Sequence, residues 1–143
     1  MTQEQKELLL KDLSSRFPYG VKIHAKYIDT DTNTEVEKVG VLSMIDNDTV
    51  VAFTCDDTNC YNYVTIHEVK PYLFPLSSMT EEQKKEYRKA CDLDMGILEN
   101  SPMKGEPFPA MYNSQDWLDA HHFDYRGLIE KGLAIDATRQ NVY

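Results

Sequence analysis

The sequence predicts an α+β protein: a small antiparallel SH3-like β-barrel or meander of about four strands, preceded by one helix and followed by helices. Three observations predict it. Residues 3–15 carry leucines at helical spacing, residues 19–70 hold short alternating or β-branched runs separated by polar turns, and from Thr80 onward the helical period returns. The connections between the strand-like runs are short, which favours antiparallel neighbours.

In the first element Leu8, Leu9 and Leu13 recur among Glu and Lys, with Thr2 placed as N-cap. Phe17-Pro18-Tyr19-Gly20 stops this helix, because proline disfavours helical geometry in the residue before it. Val21, Ile23, Ala25 and Tyr27 then alternate with Lys22, His24 and Lys26, the two-residue period of a strand with one buried face. Residues 29–35 are rich in Asp, Thr and Asn, whose side chains bond nearby backbone and favour a loop. A second strand is expected over 36–45 with a bulge at Gly40, and a third over 49–55 after a turn at 46–48. A further turn at 56–59 leads to a fourth strand over 61–69, which ends before Pro71.

The segment from Pro71 to Pro75 reads as a link to the helical part, which Thr80-Glu-Glu-Gln83 opens as a capping box. Tyr87 and Cys91 lie one turn apart on that helix. Residues 100–113, with three prolines and a glycine, are expected to form a loop packed over the body through Met103, Phe108, Met111 and Tyr112. Ser114 opens a helical hairpin anchored by Trp117 and Leu118. Asp124 is expected to cap its second, short helix, with Leu128 and Ile129 inward, Gly132 as a left-handed C-terminal cap and Leu133 making the accompanying apolar contact. These elements read as one domain over 1–143: a helix at 3–15, a β body at about 19–70 and a helical part at about 80–133.

One Trp, nine Tyr and five Phe within 41% hydrophobic content are enough to build a core, and 27% charged residues suit a soluble surface. No apolar run approaches the 18 or so residues of a membrane-spanning helix. The acidic start, residues 1–7, lacks the basic and apolar regions of a secretory signal, so a complete small cytoplasmic protein is expected. Cys55, Cys60 and Cys91 are odd in number and lack C-x-x-C spacing, so reduced thiols are expected rather than disulfides or a zinc knuckle. The net charge is −9, and neither part of the chain is basic: 7 basic against 12 acidic residues up to Pro75, and 8 against 12 beyond it. Nucleic-acid binding is disfavoured on that charge.

The densest polar group lies between Asp116 and Arg126, where Asp119, His121, His122, Asp124 and Arg126 could serve a small metal-dependent hydrolase. Placement along helix termini explains the same residues: acid at a positive start, histidines near a negative end, and Asp124 as a cap. Asp29, Asp31 and Asn33 match the first positions of a calcium loop, but Thr34 stands at its glycine position and Gly40 at its final glutamate position, which favours a polar hairpin loop. Asp92-Leu-Asp94-Met-Gly96 fails the same pattern because its glycine comes too early. Cys60 near His67 is a weak nucleophile–base pairing, and no phosphate-cradling loop or G-x-S-x-G elbow is present. Tyrosines are frequent in the β region, including Tyr19 and Tyr27, and a binding surface of Tyr61, Tyr63, Tyr72 and Trp117 is the reading adopted.

Residues 70–83, Lys-Pro-Tyr-Leu-Phe-Pro-Leu-Ser-Ser-Met-Thr-Glu-Glu-Gln, and 117–133, Trp-Leu-Asp-Ala-His-His-Phe-Asp-Tyr-Arg-Gly-Leu-Ile-Glu-Lys-Gly-Leu, resemble a family of short proteins of gut bacteria and their mobile elements or phages. The resemblance implies a bacterial or phage origin and transfers no catalytic residue. The expected function is therefore that of a non-enzymatic protein-binding module without metal or cofactor, which engages a protein partner such as a host factor. Its acidic surface could imitate nucleic acid in a basic cleft.

Overall fold

The computed structural model describes residues 1–46, 50–55, 58–94 and 114–143, with side chains described for all of these except 58–60 and 93–94. Helix α1 (Gln3–Arg16) opens on a reciprocal cap: Gln5 N–H donates to Thr2 Oγ1 at 3.1 Å, and Thr2 N–H donates to Gln5 Oε1 at 3.0 Å. Its buried stripe is Leu9, Asp12, Leu13 and Arg16, at helical spacing. Gly20, at φ +67°, takes the left-handed conformation that turns the chain into the sheet.

Four strands then form an antiparallel meander: β1 (Lys22–Asp29), β2 (Thr34–Ile45), β3 (Val50–Cys55) and β4 (Thr58–Thr65). The β1–β2 hairpin closes on Asn33 N–H donating to Asp29 O at 2.7 Å and Asp31 N–H to Asp29 Oδ1 at 2.9 Å, the polar loop its composition predicts. The meander does not close into an SH3-like barrel, and the sheet does not end at four strands. It continues through β5 (Val69–Pro75), β6 (Phe123–Asp124) and β7 (Ile135–Asp136) into an open, mixed seven-stranded sheet, in the order β4-β3-β2-β1-β5-β6 with β7 also on β5.

The segment expected to be a link is thus a strand that joins the two parts of the chain. Val69–Pro71 pair antiparallel with β1, whereas Tyr72 and Leu73 run parallel to β7 and Phe74 and Pro75 parallel to β6. Pro71 stands where one ladder ends and the next begins, a position where a missing N–H costs least. Gly40 is also not a bulge. Its register with Ile23 is regular, and the irregularity falls between Leu42 and Met44. Glycine is required there because a Cβ would lie 2.6 Å from Thr54 O and 2.7 Å from Phe53 Cδ2.

Leu9 and Leu13 pack on one sheet face against Ile23, Leu42, Phe53 and Val64, with Leu128 and Leu133 completing this core. Helices α2 (Glu81–Asp94) and α3 (Ser114–Ala120) contact one another over a second cluster of Ala90, Trp117, Leu118 and Phe123. The Thr80 box is present as expected, with Gln83 N–H on Thr80 Oγ1 at 3.2 Å and Thr80 N–H on Gln83 Oε1 at 2.9 Å. The expected second helix of the hairpin does not form after α3. The chain enters β6 instead, and Asp124 holds a turn by accepting Leu128 and Ile129 N–H at 2.9 Å each. Gly132, at φ +72°, closes that turn with Leu133 N–H on Leu128 O at 2.9 Å, so the expected cap exists without its helix.

The expected loop at 100–113, the first two residues of the turn expected at 56–59, most of the turn at 46–48 and the end of the Asp92–Gly96 motif lie outside the described residues, and residues 58 and 59 begin β4 instead of completing that turn. Among the described residues no helix is long and apolar enough to cross a membrane.

Replacing Gly40 by alanine is expected to lower stability by about 1–3 kcal/mol, the cost of forcing a methyl group into a filled space. Equilibrium denaturation measures it, and a loss below about 0.5 kcal/mol would contradict the close approach of the β3 backbone.

Candidate functional site

The polar residues singled out in the sequence meet partners from the other end of the chain. Arg16 and Asp12 sit one turn apart on α1 and have no exposed surface. Arg16 Nε donates to Asp12 Oδ2 at 2.8 Å, and its Nη2 donates to the carbonyl of Phe123 in β6 at 2.7 Å. The second oxygen of Asp12 accepts Arg126 Nη1 at 2.8 Å. Asp119, on α3, completes the group: its Oδ1 accepts the Tyr125 hydroxyl at 2.8 Å and Ser15 Oγ at 3.3 Å, and lies 3.8 Å from Arg126 and 4.0 Å from Arg16. The Arg16 and Arg126 guanidinium groups lie 5.5 and 4.5 Å from the centre of the Tyr125 ring.

Two guanidinium groups and two carboxylates balance, so the cluster is neutral as a whole. Even so, burial outweighs both arginines at Asp119 and raises its pKa above the ordinary value, while the Tyr125 hydrogen bond and the Arg16 and Arg126 charges oppose the shift. The same burial, with Asp119 as acceptor, pushes the Tyr125 phenol up to about 12. The carboxylates and the Tyr125 hydroxyl are held in structural bonds, while Arg16 Nη1 is buried without a hydrogen-bond partner. The cluster fastens α1 to the C-terminal segment.

The two histidines diverge. His121 stacks on Trp117 with ring centres 4.0 Å apart, bonds through Nδ1 to Trp117 O at 2.8 Å and approaches Glu86 of α2 at 4.0 Å. His122 adopts φ +62°, ending α3 as a left-handed residue, and its carbonyl accepts Phe74 N–H at 2.8 Å. Its ring stacks on Tyr143 at 4.2 Å, and Tyr143 in turn donates to Tyr72 O and accepts Lys22 N–H, both at 2.9 Å. Burial, followed by the Arg16 charge and His121, lowers the His122 pKa to about 4.

The hydrolase set is therefore divided among three tasks: Asp119 and Arg126 in the ion cluster, Asp124 in a turn, and His121 and His122 in separate aromatic stacks. Among the described residues no three His, Cys, Asp or Glu side chains gather as metal ligands, the 29–34 loop included. The Cys60 side chain lies outside the described residues, while Cys55 and Cys91 are half-buried, with Cys55 Sγ accepting Asn62 Nδ2 at 3.9 Å. A cleft of about 400 Å³ beside the cluster is lined by Pro75, Leu76, Asp124 and Tyr125, but the Asp124 carboxylate is already occupied by its turn.

The binding-surface residues also separate. Tyr72 and Trp117 are buried, whereas Tyr61 and Tyr63 on β4 are 58% and 63% exposed with ring centres 6.5 Å apart. Sequence reasoning missed Asp12, Arg16 and Ser15 entirely. The only signal was an Asp and an Arg four apart on the same stripe as Leu9 and Leu13.

Arg16→Met is expected to cost about 3–5 kcal/mol in a denaturant titration, because it leaves the buried Asp12 and Asp119 carboxylates short of a counter-charge. A loss under 1 kcal/mol would remove the cluster from its structural role. His122 supplies a pH signature. Its folded pKa is depressed, so the unfolded chain binds the extra proton first; the stability it contributes is full above about pH 6.5 and is lost as pH falls toward 4, at up to about 1.4 kcal/mol per pH unit. Asp119, with a raised folded value, acts with the opposite sign in its own window. The difference between wild type and His122→Asn, which tolerates the left-handed backbone, isolates the histidine; equal pH slopes in the two proteins would refute the assignment.

No family model, no curated protein and no solved structure matches the chain, so its reading rests on this geometry.

Proposed function

We propose that the protein is a non-enzymatic protein-binding module that works in the cytoplasm of a bacterium, of the kind a phage or mobile element directs at a host factor, and that Tyr61 and Tyr63 are its contact residues. The observation that carries this reading is the exposure of two adjacent tyrosines on β4, the terminal strand of the sheet. Large aromatic side chains that keep more than half their surface in water do not serve the core. Tyrosine supplies much contact area at low entropy cost, which suits it to a binding anchor. Along the same sheet face, Val39 and Met44 of β2 are also exposed and extend the apolar surface.

The reading is supported from the other side by the use already made of the polar residues. Asp119, Asp124 and Arg126 are engaged in intramolecular hydrogen bonds, and the two histidines stack elsewhere, on Trp117 and Tyr143. A catalytic constellation needs groups that converge on a common reacting position.

The test is affinity capture from the native host, comparing wild type with the Tyr61→Ala, Tyr63→Ala double variant by quantitative mass spectrometry. A stoichiometric protein partner should fall at least tenfold in the variant, while stability changes by no more than about 0.5 kcal/mol, as for surface sites generally. A transition metal that copurifies with wild type and is lost on His121→Ala, His122→Ala would overturn the proposal in favour of metal-dependent hydrolysis.

A further inference from the structure

Strand β4 reads Thr58-Asn-Cys-Tyr-Asn-Tyr-Val-Thr65, eight residues without a charge or a proline, in a chain of which 27% is charged. Terminal strands are ordinarily protected from pairing by lysine, proline, inward charge or brevity, since their backbone groups are a template for another strand. β4 has no charge or proline of its own, its length exceeds the usual five or six residues of a strand, and the one irregularity of its ladder falls at the Thr54/Cys55 end. Its ladder to β3 is regular over Val50↔Thr65 to Thr54↔Tyr61, so this stretch is straight enough to present a pairing edge.

Within the strand, the three residues Tyr61-Asn62-Tyr63 also read the same in both directions. Tyr61 and Tyr63 flank Asn62 and project to the same, exposed face, while Asn62, the residue between them, is half-buried. An antiparallel partner with the same sequence, centred on Asn62, sets Tyr61 opposite Tyr63 of the other copy and Tyr63 opposite Tyr61. This groups four aromatic rings on one face, and cross-strand aromatic pairs of this kind stabilise antiparallel sheets. The operation is a two-fold rotation, which closes on itself and consumes both edges, so it yields a dimer rather than a fibre. β4 itself has no charged side chain to meet its like across the axis; the Lys38 ammonium of β2, beside the axis, is already bonded to Asn62 Oδ1 at 3.1 Å.

We propose that β4 pairs antiparallel with β4 of a second copy of this chain, centred on Asn62, joining two sheets into one across a cluster of four tyrosines. The inference rests on the reading of Tyr61 and Tyr63 as contact residues and names their occupant. A heterologous extended peptide is the other occupant such an edge could take, and its sequence would not need the symmetry.

Light scattering coupled to size exclusion, at about 10 to 200 μM protein, should show a dimer that dissociates on dilution. Tyr61→Lys, Tyr63→Lys should shift the midpoint by at least tenfold toward monomer, with an unchanged far-ultraviolet spectrum. Amide exchange of the intact wild-type chain provides a second measurement that needs no variant: protection over 61–65 should rise with concentration while that of β1 stays constant. A monomer throughout this range, or a dimer whose β4 exchange is independent of concentration, overturns the self-pairing. Tyrosine-dependent capture of a different protein by such a monomer would leave the binding-module reading standing, whereas loss of that capture effect beside an intact β4 dimer would remove the other.

Discussion

A guanidinium group with no exposed surface has to be neutralised where it lies, and Arg16 draws its neutralising partners from both ends of the chain. Asp12 comes from the same helix, Asp119 from α3, and the Phe123 carbonyl from β6. Asp12 is then shared with Arg126, which makes the arrangement a closed circuit rather than a chain of pairs. A set of this kind adds little net stability over apolar packing of the same volume, but it is intolerant of partial assembly, since any missing member leaves a buried charge. Its physical effect is to fix one docking of α1 against the C-terminal segment. The parallel strands β6 and β7 depend on that docking, because two-residue ladders have few hydrogen bonds of their own with which to specify register.

The sequence pattern shows how the legible and illegible parts of the fold divide. The leucines of α1, the alternation in β1, the N-cap at Thr2 and the capping box at Thr80 are local, and each is visible because its cause lies within four residues of its effect. β5 was hidden by its prolines, whose meaning depends on the partner: Pro71 is tolerated where the chain leaves β1 for β7, a fact available only once distant strands are placed. The same holds for Gly40, where the constraint is the approach of Thr54 and Phe53 from another strand and not a feature of β2 itself. The barrel expectation failed for a related reason, since closure is decided by where β5 finds its second neighbour.

The candidate site divides similarly. The group from Asp119 to Arg126 is conspicuous in sequence because polar residues are dense there, and density does not say whether side chains converge. A left-handed His122 sends its ring to Tyr143 while His121 turns to Trp117, so a single backbone torsion separates two adjacent histidines. Asp12 and Arg16, which organise the cluster, look like an ordinary solvent-exposed pair at helical spacing; only the packing of the last third of the chain over α1 makes them buried. The tyrosines show the reverse case. Alternation assigns Tyr61 and Tyr63 to one face, and β4 being terminal leaves that face uncovered.

The tyrosine pair lies on the exposed face of β4, whereas the ion cluster lies between α1 and the C-terminal segment. Because only residues 66–68 link the end of β4 to β5, the sheet curls and brings those strand ends within about 14 Å of each other. The tyrosine pair and the ion cluster are nonetheless built from different residues, and perturbations of sites without a shared partner combine additively. The chain can thus keep an unprotected edge in β4 because its specificity of folding is enforced in the ion cluster, where charges that must be matched admit only one arrangement. Changes at Tyr61 and Tyr63 then alter what the sheet edge accepts without reaching the residues that determine whether the sheet forms. This separation is what a binding surface needs if its partner preference is to vary while the fold persists.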